Sequence, residues 1–119
     1  MTQWAYLTWF PEHGANLVHP EDISKLGSGV QGLLGTVSFA AEGWASFAFG
    51  EHIVRVQDNL PKSCAPPEFA YGQVVQSVPP RSHIQGPVRL ILWHFKKGTP
   101  FFFIGSSHSR YSAYELRAV

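Results

Sequence analysis

The 119-residue chain has one cysteine, Cys64, so no internal disulfide can form and a reducing, cytoplasmic setting is expected. No apolar run approaches the ~18–20 residues a membrane helix requires. Met1–Phe10 has neither the basic start nor the apolar centre of a signal peptide, and no membrane contact is expected. Charge is scarce as well: 14% of residues are charged, against roughly a quarter in ordinary domains. Few charges keep copies apart, which points to a homodimer or to a face covered by a partner. Nucleotide-binding signals are missing too. The glycines of 27–35 have no Gly-Lys-Ser/Thr ending, so this is not a phosphate loop.

What is present is an apolar and aromatic supply large enough for a packed interior, 45% hydrophobic and 14% aromatic, which excludes global disorder. The net charge of +1 hides a split. Residues 1–68 carry three basic groups against seven acidic ones, a net of −4. Residues 69–119 carry Arg81, Arg89, Lys96, Lys97, Arg110 and Arg117 against Glu115 alone, a net of +5. Such a split hints at a nucleic-acid contact or at complementary halves.

Short β-rich runs dominate. Gln3–Phe10 ends at Pro11, with Asn16–Val18 as a short return strand. Pro20 and the carboxylates of Glu21 and Asp22 suit the first turn of a short helix over 20–26, closed by Gly27. A flexible glycine-rich stretch, 27–35, follows. Leu34–Phe39, Trp44–Phe49 and His52–Gln57 then form a meander with turns at Glu42-Gly43 and Gly50-Glu51. Residues 58–68, with Pro61, Pro66 and Pro67, have no periodicity and read as a Pro-rich linker between two halves. Phe69–Val78 is a strand broken by Gly72. Val88–Lys97 is the longest candidate, apolar on both faces at its centre and so expected to be buried on both sides; it returns as Phe101–Gly105. A last helical turn spans Ala113–Leu116. The expected fold is mostly β: a small antiparallel barrel or SH3-like roll with one short helix. Two SH3-like halves, 1–57 and 69–119, satisfy the pattern as well as one compact domain over 1–119.

Phe69-Ala70-Tyr71-Gly72, Trp93-His94-Phe95-Lys96, Pro100-Phe101-Phe102-Phe103, Ser109-Arg110-Tyr111 and Glu115-Leu116 resemble a family of uncharacterised small bacterial proteins. Phe10-Pro11, His19-Pro20-Glu21-Asp22, Phe49-Gly50 and Arg55-Val56 extend the resemblance over most of the chain. It implies an SH3-like β fold and carries over no catalytic residue.

Residues with chemistry have structural explanations beside the functional ones. The histidines (His13, His19, His52, His83, His94, His108) show no zincin spacing, and Cys64 has no second thiol for a zinc site, so no metal or cofactor is expected. Cys64 follows Lys62, which suits an activated thiol, yet no base is near in sequence and a plain linker cysteine explains it. Glu21 and Asp22 suit acid–base work, but also the start of a helix. Ser82-His83 and Ser107-His108 are neighbours in turns, which does not set up a triad. The remaining cluster is Arg89, His94, Lys96, Lys97, Arg110, Tyr111 and Arg117, with Trp93, Phe101 and Phe103. Its functional reading is a basic, aromatic surface; its structural one is core rings with solvated strand ends. The expectation is a non-enzymatic module binding another protein, or itself, through Arg89, His94, Lys96, Lys97, Arg110 and Tyr111. Alternatives are a nucleic-acid-binding barrel, an antitoxin or immunity-type protein, and a small metal or histidine enzyme.

Overall fold

The structure is a computed structural model that describes residues 3–27, 29–39 and 43–119. Two compact units are present, Met1–Pro66 and Pro67–Val119.

In the first unit, β1 (Gln3–Trp9), β2 (Val30–Phe39), β3 (Trp44–Phe49), β4 (His52–Gln57) and β5 (Lys62–Ser63) pair antiparallel in the order β4-β3-β2-β1-β5. Ala5, Leu7 and Trp9 are buried while Trp4, Tyr6 and Thr8 are only partly covered, the period-2 pattern of a half-buried strand. Val54 and Val56 repeat it on β4. Residues 30–33, expected to be flexible, are instead part of β2, which begins four residues before the expected Leu34–Phe39 strand. Gly32, at φ 78°, sits where the β1–β2 register slips, so the alternation shifts and Leu33 and Leu34 are both buried. Gly35 has no room for a side chain: a Cβ there would run into the carbonyl oxygen of Ala48 and stand 2.8 Å from the Phe47 ring.

Three further expectations for this unit are corrected. Ala15–Leu17 is a 3-10 turn, not a strand, with only Val18 bridging to Val56. The helix over 20–26 is a four-residue 3-10 turn, Ile23–Leu26, and Asp22 makes no side-chain cap on it. The carboxylates that suited a helix start are drawn across to Arg55 on β4 instead. The 58–68 stretch, read as a linker without strand periodicity, holds a two-residue strand, because Lys62–Ser63 pairs with Tyr6 and Ala5. Of the Glu42-Gly43 turn, Glu42 lies outside the described residues.

In the second unit, β6 (Val74–Ser77), β7 (Gln85–His94), β8 (Thr99–Ile104), β9 (Tyr111–Ser112) and β10 (Leu116–Ala118) pair antiparallel in the order β10-β6-β7-β8-β9. A 3-10 turn, Ala113–Glu115, separates β9 from β10. Counted within each unit, both sheets run 5-1-2-3-4. The mostly β, antiparallel fold is as expected. Closure is not, for among the described residues no pairing joins β4 to β5 or β9 to β10, so each of these sheets is open.

β7 also departs from expectation. It begins at Gln85 and ends at His94, because Phe95–Gly98 form the hairpin turn, with Gly98 at φ 64° closing it. Only Val88 and Ile91 of β7 are fully buried, so the strand is not covered on both faces. Arg89 falls in a register slip between Val88 and Leu90, and Phe95 is 48% exposed on the turn. The strand expected over 69–78 is shorter at its start, since Ala70–Gly72 makes a turn in which Gln73 N–H donates to Ala70 O.

Candidate functional site

The candidate site lies within the second unit, at the end of the β7–β8 hairpin. His94 and Thr99 close the hairpin. The Gly98 N–H donates to His94 O (2.8 Å), and the Lys97 N–H donates to His94 Nδ1 (3.2 Å). An Nδ1 that accepts leaves Nε2 as the ring's donor. The same bond pins Lys97 to the histidine.

Along β8, side chains alternate between faces. Phe102 and Ile104 are buried, and Thr99, Phe101 and Phe103 share the other face. Phe101 and Phe103 are 5.8 Å apart, centre to centre, and His94 stands 5.9 Å from Phe101. The guanidinium of Arg110 lies 5.4 Å over Phe101 and that of Arg89 lies 5.6 Å over Phe103. A concave site of about 180 Å³ opens here, lined by His94, Lys97, Thr99, Pro100, Phe101, Arg110, Tyr111, Ser112 and Glu115.

Its far wall is set by a capping box. Ser112 donates to Glu115 Oε1 from its backbone N–H (2.9 Å) and its hydroxyl (2.8 Å). Arg81 donates to Glu115 Oε2 (2.8 Å) and to Arg110 O (3.2 Å), and its guanidinium lies 4.1 Å over the Tyr111 ring. The Ser112 amide first, and Arg81 second, hold the Glu115 carboxyl at a pKa of about 2. Both of its oxygens are therefore occupied.

Of the six residues expected in contact roles, the structure brings His94, Lys97, Arg110 and Tyr111 together and leaves two apart. Lys96 is exposed on the hairpin turn, outside the lining. Arg89 donates to the carbonyls of Gly105 (2.6 Å) and Ser107 (3.0 Å), which ties down the turn after β8. Tyr111 is a buried residue under Arg81, so its contribution is a wall and not a free ring. The residues that sequence reasoning missed are Arg81, Ser112 and Glu115. The spacing Ser112-x-x-Glu115 is a readable capping-box signal; nothing local points to Arg81, 34 positions from its partner.

The other constellations are occupied structurally. Asp22 is buried and accepts from Arg55 N–H (2.8 Å), Arg55 Nε (2.9 Å) and Lys25 Nζ (3.3 Å); Glu21 accepts from Arg55 Nη2 (3.0 Å). Arg55 holds the Asp22 carboxyl far below the usual range. Burial pushes the Cys64 thiol up, the opposite of what a nucleophile needs. Among the described residues, no group of three or more His, Cys, Asp or Glu side chains is placed to hold a metal ion, and no helix is long and apolar enough to cross a membrane.

Compared with known proteins, no curated protein and no solved structure matches the chain. A family model does match, over residues 1–117, and the chain belongs to that family, DUF6960, a family of unknown function.

Proposed function

With membership of a family of unknown function as the premise, we propose that the chain is a non-enzymatic, cytoplasmic binding module of bacterial type. In this reading each unit is an SH3-like roll, and the second captures an acidic segment of a partner protein. The observation that carries this reading is the convergence of Lys97, Arg110 and His94 around the Phe101 ring in one cleft. Aromatic-lined grooves of SH3-type barrels take extended chains, and clustered cations recognise acidic motifs. The SH3-like reading rests on the shared 5-1-2-3-4 strand order and on the 3-10 turn that interrupts β9 and β10. Two observations weigh against catalysis. The one carboxylate lining the cleft, Glu115, is already bonded through both oxygens. A cleft of about 180 Å³ also falls below the ~300–1,000 Å³ of small-molecule sites.

Nucleic-acid binding has one observation in its favour, the pair of phenylalanine rings each covered by an arginine. Arg89 is tied to two carbonyls, however, and a chain of net charge +1 has little general attraction for phosphates.

The test is fluorescence anisotropy with a labelled peptide carrying a run of glutamates. Charge reversal at Lys97 and Arg110 together is expected to weaken binding at least tenfold, with a smaller effect for Lys96→Glu at the rim. Unchanged affinity in the double variant sinks the assignment of this surface.

A further inference from the structure

The charges around the cleft do not balance, and the imbalance specifies the ligand's charge. Among the described residues, neither Lys97 nor Arg110 has an ion-pair partner, whereas Glu115 is neutralised by Arg81. Two positive charges therefore remain at one small concavity. Its charged groups are mostly donors. Lys97 carries an ammonium, Arg110 a planar fork and His94 an Nε2–H; the hydroxyls of Thr99 and Ser112 can donate or accept, and both oxygens of Glu115 are already accepting. Such a lining favours a group rich in acceptor oxygens. In size, a concavity of about 180 Å³ has room for a tetrahedral oxyanion.

We propose that the group this cleft takes is a phosphate dianion, carried as a phosphate monoester on a side chain of the partner. This rests on the reading of the cleft as the contact surface and names what fills it. A carboxylate, with one charge, leaves one of the two cations unmatched. A phosphate monoester carries about −1.5 to −2 at neutral pH and three acceptor oxygens, which matches both the charge and the donor set. A phosphodiester backbone carries only one charge per phosphate, so it fits the cleft less well. The Arg110 guanidinium lies 5.4 Å over the Phe101 ring, and both residues line the cleft. The bond from the Lys97 amide to Nδ1 favours the His94 tautomer that donates from Nε2.

The test uses the full chain and four probes: a phosphoserine peptide, the same peptide with glutamate at that position, inorganic phosphate, and a single-stranded oligonucleotide. Affinities are read by anisotropy or calorimetry, and the Arg110 Nε–H resonance by NMR. The expected result is at least tenfold tighter binding of the phosphopeptide than of the glutamate peptide. That preference should be lost in Arg110→Gln and Lys97→Gln and kept in Arg117→Gln. Equal affinity for the two peptides, abolished in Arg110→Gln, overturns the phosphate assignment while leaving the acidic-partner reading in place. Inorganic phosphate that shifts Arg110 Nε–H and binds as tightly as the phosphopeptide supports the dianion site but removes the partner protein from it. Tighter binding of the oligonucleotide than of either peptide overturns the proposal in favour of a nucleic acid. An Arg110 resonance unmoved by any probe overturns both the proposal and the reading beneath it.

Discussion

Replacing Asp22 with alanine tests the account of the first unit most directly. Among the described residues, β4 pairs along its length with β3 alone, and its other edge meets the chain through the isolated Val18–Val56 bridge. Its outward backbone groups are nonetheless occupied: Arg55 N–H donates to Asp22, Ile53 O accepts from Lys25 Nζ, and Arg55 O accepts from His19 N–H. The carboxylate of Asp22, only 5% exposed, thus stands in for a neighbouring strand. Removing it leaves the Arg55 amide unpaired, at about 1–3 kcal/mol, and removes charge-assisted bonds to side chains that can partly rehydrate. Together these give a loss of about 3 kcal/mol for Asp22→Ala, discounted for that solvent access. A domain of this size loses roughly 4–8 °C of melting temperature per kcal/mol, so the shift expected is roughly 12–24 °C. Calorimetry on the purified chain, with Glu21→Ala as control, measures it. Glu21 is 75% exposed, so solvent screens its pair with Arg55 and its removal should shift the melting temperature far less. The unpaired edge should also promote strand-to-strand association, visible as light scattering. Acid dependence gives a second readout. Because the Asp22 pKa is depressed on folding, its contribution is complete above the ordinary carboxylate range and fades as pH falls below it. Asp22→Asn should therefore flatten the acid limb of this unit. An Asp22→Ala protein that melts within a few degrees of wild type would refute the edge-capping argument.

Two further perturbations probe the packing and the cleft wall. Gly35→Ala places a methyl against the Ala48 carbonyl and the Phe47 ring, and overpacking of this kind costs about 1–3 kcal/mol; denaturant unfolding at unchanged m-value is the check, and a neutral result contradicts the close approach. For Glu115, folding lowers the pKa from 4.5 to about 2. Its stabilisation is complete above pH 4.5 and is lost as pH falls toward 2. Glu115→Gln should thus be clearly less stable than wild type at neutral pH, with the gap narrowing by pH 3 because wild type by then has lost part of the same contribution. A gap of the same size at both pH values counts against the Ser112–Glu115–Arg81 arrangement.

Much of the strand content was legible in the chain because strand alternation is a local signal. Leu7 and Trp9 on β1, or Val54 and Val56 on β4, announce a buried face every second residue, and Gly50 or Pro11 announces where a run must stop. The interval holding His94, Lys97, Arg110 and Tyr111 was legible for the same reason, since cations clustered at the ends of apolar strands have few other places to go. Misjudged elements were those whose local preference is weak. Ile23–Leu26 is too short for its helix signals to act, and Lys62–Ser63 has no strand character until β1 supplies a partner.

The sequence by itself determined a mostly β chain with apolar strands, glycine turns and a basic second half, because composition, period and backbone sterics act within a few residues. Only the tertiary structure decided which charges survive as available groups. Arg55 is consumed by Asp22 across 33 positions and Arg81 by Glu115 across 34, while Arg89 is spent on two carbonyls. Lys97 and Arg110 remain beside the Phe101 ring. Pairing between charges depends on distance in space, and strand register, not chain spacing, sets that distance.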